Sequence, residues 1–395
     1  MLRLLSKITI KQQKTEAYPN RNKTFILNFL NDVEISSGWQ NMTDTCKIVL
    51  PRKVYLQDEN GTRINWFGKV FYGGDEFGSN VAPLILRGDK IKIELGYNYP
   101  TEKEAEVIEI NTVFEGYITF IKNKMPITLE CEDRMWQLKQ IKVPDKNYSN
   151  KTYTVQSMLD EMLKLQDSTK DIELKTGSSI GQKIETNLNA EFRTQNDTIG
   201  SVIKRLKEEA RLYSYFRNDT ELRCGSIVYF PSDRITHVFN FQKNIISDSL
   251  EYKKLEDIKI GATCISENET INGTNKDGSP KRKTIEVKTF VGDKDGELRT
   301  LHYINTSIEK MQILGKRELK RYLYEGYRGS FTTFGLPRVK HGDEVILEDK
   351  ILPERNGSYL VKSVKIFFGM GGFRQDIELH LKLSVYKDEY LNYGL

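Results

Sequence analysis

Residues 342–381 read GDEVILEDKILPERNGSYLVKSVKIFFGMGGFRQDIELHL, and the period of this stretch decides the fold. Gly342-Asp343 is a turn signal, and the strand after it places Val345 and Leu347 inside. Residues 358–368, SYLVKSVKIFF, continue as strand. The turn Gly369-Met370-Gly371-Gly372 then closes a hairpin with 376–383, where Ile377, Leu379, Leu381 and Leu383 share one face. Apolar residues at a period of two mark a half-buried strand. The same series occurs earlier in the chain. GDKIKIEL (88–95) opens on Gly88-Asp89 and alternates Ile91, Ile93 and Leu95 with charges. FEGYITFI (114–121) follows, with Phe114, Ile118 and Phe120 on one face. A polar turn at Lys122 to Lys124 leads to PITLECED (126–133), with Ile127, Leu129 and Cys131 on one side. Gly-Asp before a strand is ordinary turn chemistry, so two unrelated barrels could converge on this pattern. Three elements agreeing in series favour duplication. Gly88, Asp89, Gly342 and Asp343 are then the structural turn positions of the repeat.

Other segments fit around these two series. TFILNFL (24–30) and CKIVL (46–50), stopped by Pro51, add strands to the first. Between the series the period changes. Residues 154–166 place Val155, Met158, Leu159, Met162 and Leu163 at helical spacing, with Thr154 as N-cap. A second helix runs from about Thr198 to Leu212 along Ile199, Val202, Ile203, Leu206 and Ala210, capped by Asn196 or Asp197. Tyr213, Tyr215 and Phe216 follow, then Asn218-Asp219 and a return strand ending in 226–230. Residues 257–265 and 284–291 read as strands around a basic loop, Lys281-Arg282-Lys283. One long helix is expected from Ser307 to Glu325, with Ile308, Met311, Leu314, Leu319 and Leu323 inward. The expected fold class is α+β, mainly β: two similar small β-barrels bracketing an α+β middle domain. The boundaries fall at 1–145, 146–243 and 244–395.

Composition narrows the chemistry. The chain has 395 residues, 38% hydrophobic and 29% charged, which suits a soluble protein with more than one core. No apolar run approaches the roughly 20 residues of a membrane span. The start, MLRLLSKITIKQQ, is too short in apolar residues for a signal peptide. Sixty Lys and Arg against 55 Asp and Glu leave a net charge of +5, spread along the chain and too small to argue for nucleic-acid binding. Cys46, Cys131, Cys224 and Cys264 form no CxxC pair, so each reads as a small buried hydrophobe rather than a zinc ligand. His237, His302, His341 and His380 sit in no metalloprotease or deaminase motif, and His380 falls on the polar face of its strand, where a solvated histidine is expected. Glu130, Glu132 and Asp133 cluster, but the two glutamates alternate onto an outward face and do not form a pair across a cleft. Catalytic, cofactor and metal sites are therefore all expected to be none. The aromatic stretch 57–87 is long for a barrel connection; it is either a contact for a neighbouring protein or a long hairpin.

The stretch 342–381, with NGSYLVKSV and FRQDIELHL, resembles the baseplate hub proteins of contractile phage tails: the late control protein D type, and the related first half of type VI secretion spike proteins. TVQSMLDEML and NDTIGSVIKRLKEEARLYSYF resemble that family's middle domain, and NIISDSLEY (244–252) resembles the start of its second barrel. The resemblance spans nearly the whole chain, on degenerate structural motifs. It implies two tube domains per chain and a homotrimer that presents six barrels around a central channel. Such a ring adapts a sixfold tail tube to a threefold spike, because head-to-tail contacts close only if the rotation fits. The implied partners are the tail tube protein on one face, the spike protein on the other, and further baseplate proteins. DNA passes through the channel without specific binding. The implied location is the virion tail baseplate, assembled in the host cytoplasm, and no enzyme activity is implied. Some relatives continue into a spike; here a spike and any lytic enzyme are expected as separate polypeptides. A tail-associated cell-wall hydrolase, or a receptor- or carbohydrate-binding tail protein, are the alternatives. The scattered Trp39, Trp66 and Trp136 give the last no aromatic platform.

Overall fold

The computed structural model describes residues 2–51, 55–58, 60–65, 84–122, 126–149, 152–176, 191–210, 212–225, 235–274, 280–304 and 306–383. Most of the stretch 57–87, residues 226–230 and the side chains of Lys281-Arg282-Lys283 lie outside this description. The first third is all strand: β1 (Arg3–Lys11), β2 (Thr24–Leu27), β3 (Asp32–Gly38), β4 (Thr45–Val49), β5 (Tyr55–Gln57), β6 (Arg63–Asn65), β7 (Lys90–Tyr99), β8 (Val107–Lys122) and β9 (Thr128–Glu132). The middle mixes periods: α1 (Met135–Leu138), β10 (Lys146–Ser149), α2 (Val155–Leu163), β11 (Glu173–Thr176), β12 (Glu191–Thr194), α3 (Ile199–Ala210), β13 (Tyr213–Phe216) and β14 (Glu221–Gly225). Strands dominate again in the last third. These are β15 (Thr236–Asn240), β16 (Ile245–Asp248), β17 (Glu251–Lys253), β18 (Ile260–Thr274), β19 (Pro280–Gly292) and β20 (Glu297–Ile304). After α4 (Ile308–Lys320) come β21 (Gly326–Arg328), β22 (Ser330–Phe334), β23 (Glu344–Glu348), β24 (Gly357–Gly369) and β25 (Gly372–Lys382). The fold is α+β, mainly β.

Among the described residues fifteen strands form one sheet, ordered β16-β22-β25-β24-β3-β4-β9-β8-β7-β1-β2-β5-β6, with β23 on β24 and β15 on β23. Its two halves repeat each other. In the first, β7 pairs β8 as Lys90↔Tyr117, Ile91↔Gly116, Lys92↔Glu115 and Ile93↔Phe114. In the second, β23 pairs β24 as Glu344↔Leu360, Val345↔Tyr359, Ile346↔Ser358 and Leu347↔Gly357. Counted from the two Gly-Asp turns, the four pairs coincide one for one. One bulge coincides too, while the slips at Ile93/Glu94 and Tyr359/Val361 belong to one half each. The β8–β9 ladder slips between Ile118 and Phe120, and the β24–β25 ladder between Val361 and Ser363.

That bulge corrects one sequence expectation. An extra residue in a strand reverses the facing of those beyond it. Phe120 therefore leaves the face of Phe114 and Ile118 and stands 53% exposed, opposite Glu130. The halves are fused through β24. Its first part pairs β23, while Ser363 to Phe368 reach past β23 and take β3 as partner, from Ser363↔Gly38 to Phe368↔Val33. One apolar core runs through both halves, from Ile8 to Leu383. Tyr97 of β7 lies between them: its hydroxyl donates to Phe373 O at 2.7 Å and accepts the Gly335 N–H at 3.1 Å.

Two smaller cores sit apart. Around α2 and α3, Met158, Leu159, Met162, Ile199, Val202, Ile203 and Leu206 pack as their spacing predicts. Thr154 caps α2 in a capping box with Ser157. The third core belongs to β19-β18-β20 and α4, through Ala262, Cys264, Val291, Met311 and Leu319. The helix is shorter than expected and lies on this small sheet, so Ile308 at its first turn and Leu323 beyond its end are exposed. Gly315 lets it approach closely: a Cβ there would stand 2.6 Å from Cys264 Sγ.

Candidate functional site

The two Gly-Asp turns are built alike. Gly88 and Gly342 adopt φ of 92° and 81°, in the left-handed region where glycine carries no Cβ penalty. The Gly88 N–H donates to Ile118 O at 2.7 Å and the Ile118 N–H to Asp89 O at 2.9 Å. In the second turn the Gly342 N–H donates to Val361 O and the Val361 N–H to Asp343 O, both at 2.9 Å. Each aspartate is fully buried and accepts the amide three residues back: Leu86 N–H to Asp89 at 2.7 Å, Lys340 N–H to Asp343 at 2.8 Å.

The counter-charges differ, and that difference organises the molecule. Asp89 takes a bidentate pair from Arg21 of its own half, at 2.9 and 2.7 Å, with both side chains buried. Asp343 takes Arg217 from the middle unit, and His237 Nε2 of β15 at 3.1 Å. Burial opposes ionisation of Asp343, but the His237 hydrogen bond and the Arg217 charge hold its carboxyl below the usual range. Arg217 also donates to His341 O at 3.0 Å, and Lys340 Nζ returns a bond to Arg217 O at 3.2 Å. Two residues on, Asp219 pairs with Lys90, the residue after Asp89. The turn between β13 and β14 thus clasps both Gly-Asp turns at once. Arg134 fixes it from below, donating to Asp219 O at 2.7 Å.

Beside this clasp lies a polar cavity of about 180 Å³, reached by Asp44, Asp133, Arg217, Asp219, Arg338 and His341. Burial pushes Asp44 up to about 7, against the Gly38 amide and the Arg338 charge. Burial, then the neighbouring Asp44, pushes Asp133 up as well. Burial lowers Arg338 to about 10 and Lys340 to about 8. His341 falls to about 3, by burial and then by Arg217 and Arg338, and its Nε2 stands 3.9 Å from Asp44 Oδ2. Perturbed acids in a cavity invite a catalytic reading. Here, however, they hold backbone: Asp133 accepts the amides of Met135 and Asp44, and Asp44 accepts that of Gly38. Together they tie the β3–β4 turn to the start of α1.

All four turn residues expected from the sequence lie at this junction, one pair in each half. Glu130 and Glu132 stay half-buried on an outer face, paired with Lys122 and Lys139 at 2.6 Å. His380 differs from expectation. It is not solvated: its ring packs 4.8 Å from Trp39, and burial, then Arg321 and Lys362, pushes its pKa down to about 3. The polar face of β25 is covered here by Trp39 of the first half, on whose ring Tyr213 of the middle unit packs in turn. Sequence reading also missed Arg21, Arg217, His237 and His341. The one local signal was Arg217, directly before Asn218-Asp219.

No protein-family model matches the chain, and no curated protein matches it in sequence. Solved structures do match in fold, and two of them are tail proteins. The tail protein from Neisseria meningitidis MC58 is similar over 95% of this chain and 96% of its own, with a TM-score of 0.56 at 12% identity. The 43 kDa tail protein of prophage MuSo2 from Shewanella oneidensis is similar over 95% of this chain and 97% of its own, with a TM-score of 0.53 at 12% identity. At that identity the likeness is one of fold.

Proposed function

We propose that this chain is the structural baseplate hub of a contractile tail, of the late control protein D type. Three copies form a ring with a central channel, and the ring joins a sixfold tail tube to a threefold spike. The first half of the sheet, with 1–145, and the second, with 244–395, act as two tube barrels, and 146–243 as the middle domain. The tube protein docks on one face, the spike on the other, further baseplate proteins around them, and DNA passes through without specific binding. The site of action is the virion tail baseplate, after assembly in the host cytoplasm.

The observation that carries this reading is the register. Two halves of one chain share four strand pairs, a bulge and a Gly-Asp turn, position for position. Quasi-equivalent halves are what a threefold assembly needs in order to present six like subunits. The likeness to two tail proteins along their whole length supports the same reading. Light scattering of the purified chain, with negative-stain images, tests it. The expected result is a trimer mass and a ring with a central hole. A monomer that clears cell-wall suspensions would overturn it in favour of a hydrolase.

A further inference from the structure

Each chain already contains one joint between its halves, and that joint shows how a second would form. In the internal joint, β24 runs past the end of β23 and gives the edge from Ser363 to Phe368 to β3. The counterpart of this stretch in the first half is β8 from Phe120 onward, because Ile118 and Val361 occupy the same place against the two Gly-Asp turns. Beyond Ile118, β8 keeps β9 on one side. On its other side β7 has ended, and no described strand replaces it.

The counterpart of β3 is β16 with β17. Val33 lies opposite Ile48, and Asp248 opposite Phe331; Ser36 lies opposite Thr45, and Glu251 opposite Arg328. The outer edge of β16 and β17 likewise meets no described strand. Among the described residues one chain therefore carries two edges without a strand partner, one of each kind, in the positions that the internal joint fills.

We propose that the β8 edge of one copy pairs antiparallel with the β17 edge of the next, repeating the internal joint between chains. The inference rests on the trimeric hub reading and names the strands that close the ring. Carrying the internal register across gives the pairs. Ser363↔Gly38 becomes Phe120↔Lys253, Val364↔Ser37 becomes Ile121↔Tyr252, and Lys365↔Ser36 becomes Lys122↔Glu251. The last pair sets opposite charges face to face, an arrangement that favours pairing on a sheet. The edge also carries the outturned Phe120, a large apolar surface on a strand whose outer side meets no described partner. Unpaired edges of this kind are templates for strand addition. A contact using two different edges is head-to-tail, and it closes into a ring when the rotation fits. Three copies would then hold six like joints, three within chains and three between them.

The test is a cysteine pair in the full-length chain, Lys122→Cys with Glu251→Cys. Directly opposed residues have Cβ atoms roughly 4.5–5.5 Å apart, close to disulfide reach. The native Cys46, Cys131, Cys224 and Cys264 are buried, so background cross-linking is low. Under mild oxidation the double variant should run as a covalent trimer on a denaturing gel, while each single variant runs as a monomer. The off-register pair Lys122→Cys with Lys253→Cys should cross-link several-fold less. As a second measure, Lys122→Glu or Glu251→Lys alone should lower the trimer fraction several-fold, and the two together should restore it. A trimer by light scattering whose cysteines stay reduced overturns this strand pairing and leaves the hub reading standing. A chain that is monomeric at every concentration overturns both.

Discussion

The buried pair Arg21–Asp89 lends itself to a double-mutant cycle. The two side chains are 2% and 0% exposed, and Asp89 also accepts the amides of Leu86 and Gln13. Arg21→Met leaves a carboxylate in the core without its counter-charge. Asp89→Asn leaves a guanidinium in the same position. Removing one partner of a buried pair costs about 3–5 kcal/mol, whereas replacing both is often close to neutral. Each single variant should therefore lose about 3–5 kcal/mol, and the double variant no more than either single, a coupling energy of roughly 3 kcal/mol or more. A chain with several cores need not unfold in one step, so urea unfolding followed by circular dichroism should be joined to hydrogen exchange. The amides of Leu86, Gly88 and Ile118 should lose protection in the singles and regain it in the double. Single losses below about 1 kcal/mol, or strictly additive losses, would refute the view that this ion pair holds the turn.

Three more expectations can be checked with the same assays. Tyr97→Phe removes a hydroxyl that serves Phe373 O and Gly335 N across the two halves, and should cost about 1–3 kcal/mol in urea unfolding. Gly88→Ala and Gly342→Ala should each cost about 1–2 kcal/mol from left-handed strain, Gly88 more because a Cβ there meets the Trp136 ring at 3.3 Å. Asp44→Asn should stabilise the protein more at pH 8 than at pH 5. A carboxyl raised to about 7 binds its proton more tightly folded than unfolded, so its favourable contribution is lost as pH rises through 7. The pH-dependent part of the gain should be on the order of 2 kcal/mol in paired melts, and a gain confined to low pH would contradict the assignment.

Strand positions were legible where alternation was strict. Ile91, Ile93 and Leu95, and Ile377, Leu379 and Leu381, are buried as their period of two requires. So were the faces of α2 and α3, because an apolar stripe at helical spacing has one way to bury itself. Phe120 was misassigned because a bulge is a single added residue with no compositional mark, and only the ladder with β9 reveals it. His380 was misassigned because alternation tells which face a residue occupies but not what covers that face.

The sequence by itself determined two matching series of strands, each opened by a Gly-Asp turn, with a helical block between them. Those are local properties: side-chain period and turn chemistry act over a few residues. The fusion of the halves through β24 and β3, the clasp of Arg217 and Asp219 on the two turns, and the edges of β8 and β17 that meet no described strand were decided by the tertiary structure alone. The partners in that fusion and that clasp lie more than a hundred positions apart in the chain. No short-range pattern encodes them, because a backbone edge or a buried carboxylate accepts any partner that the folded chain brings within hydrogen-bond reach.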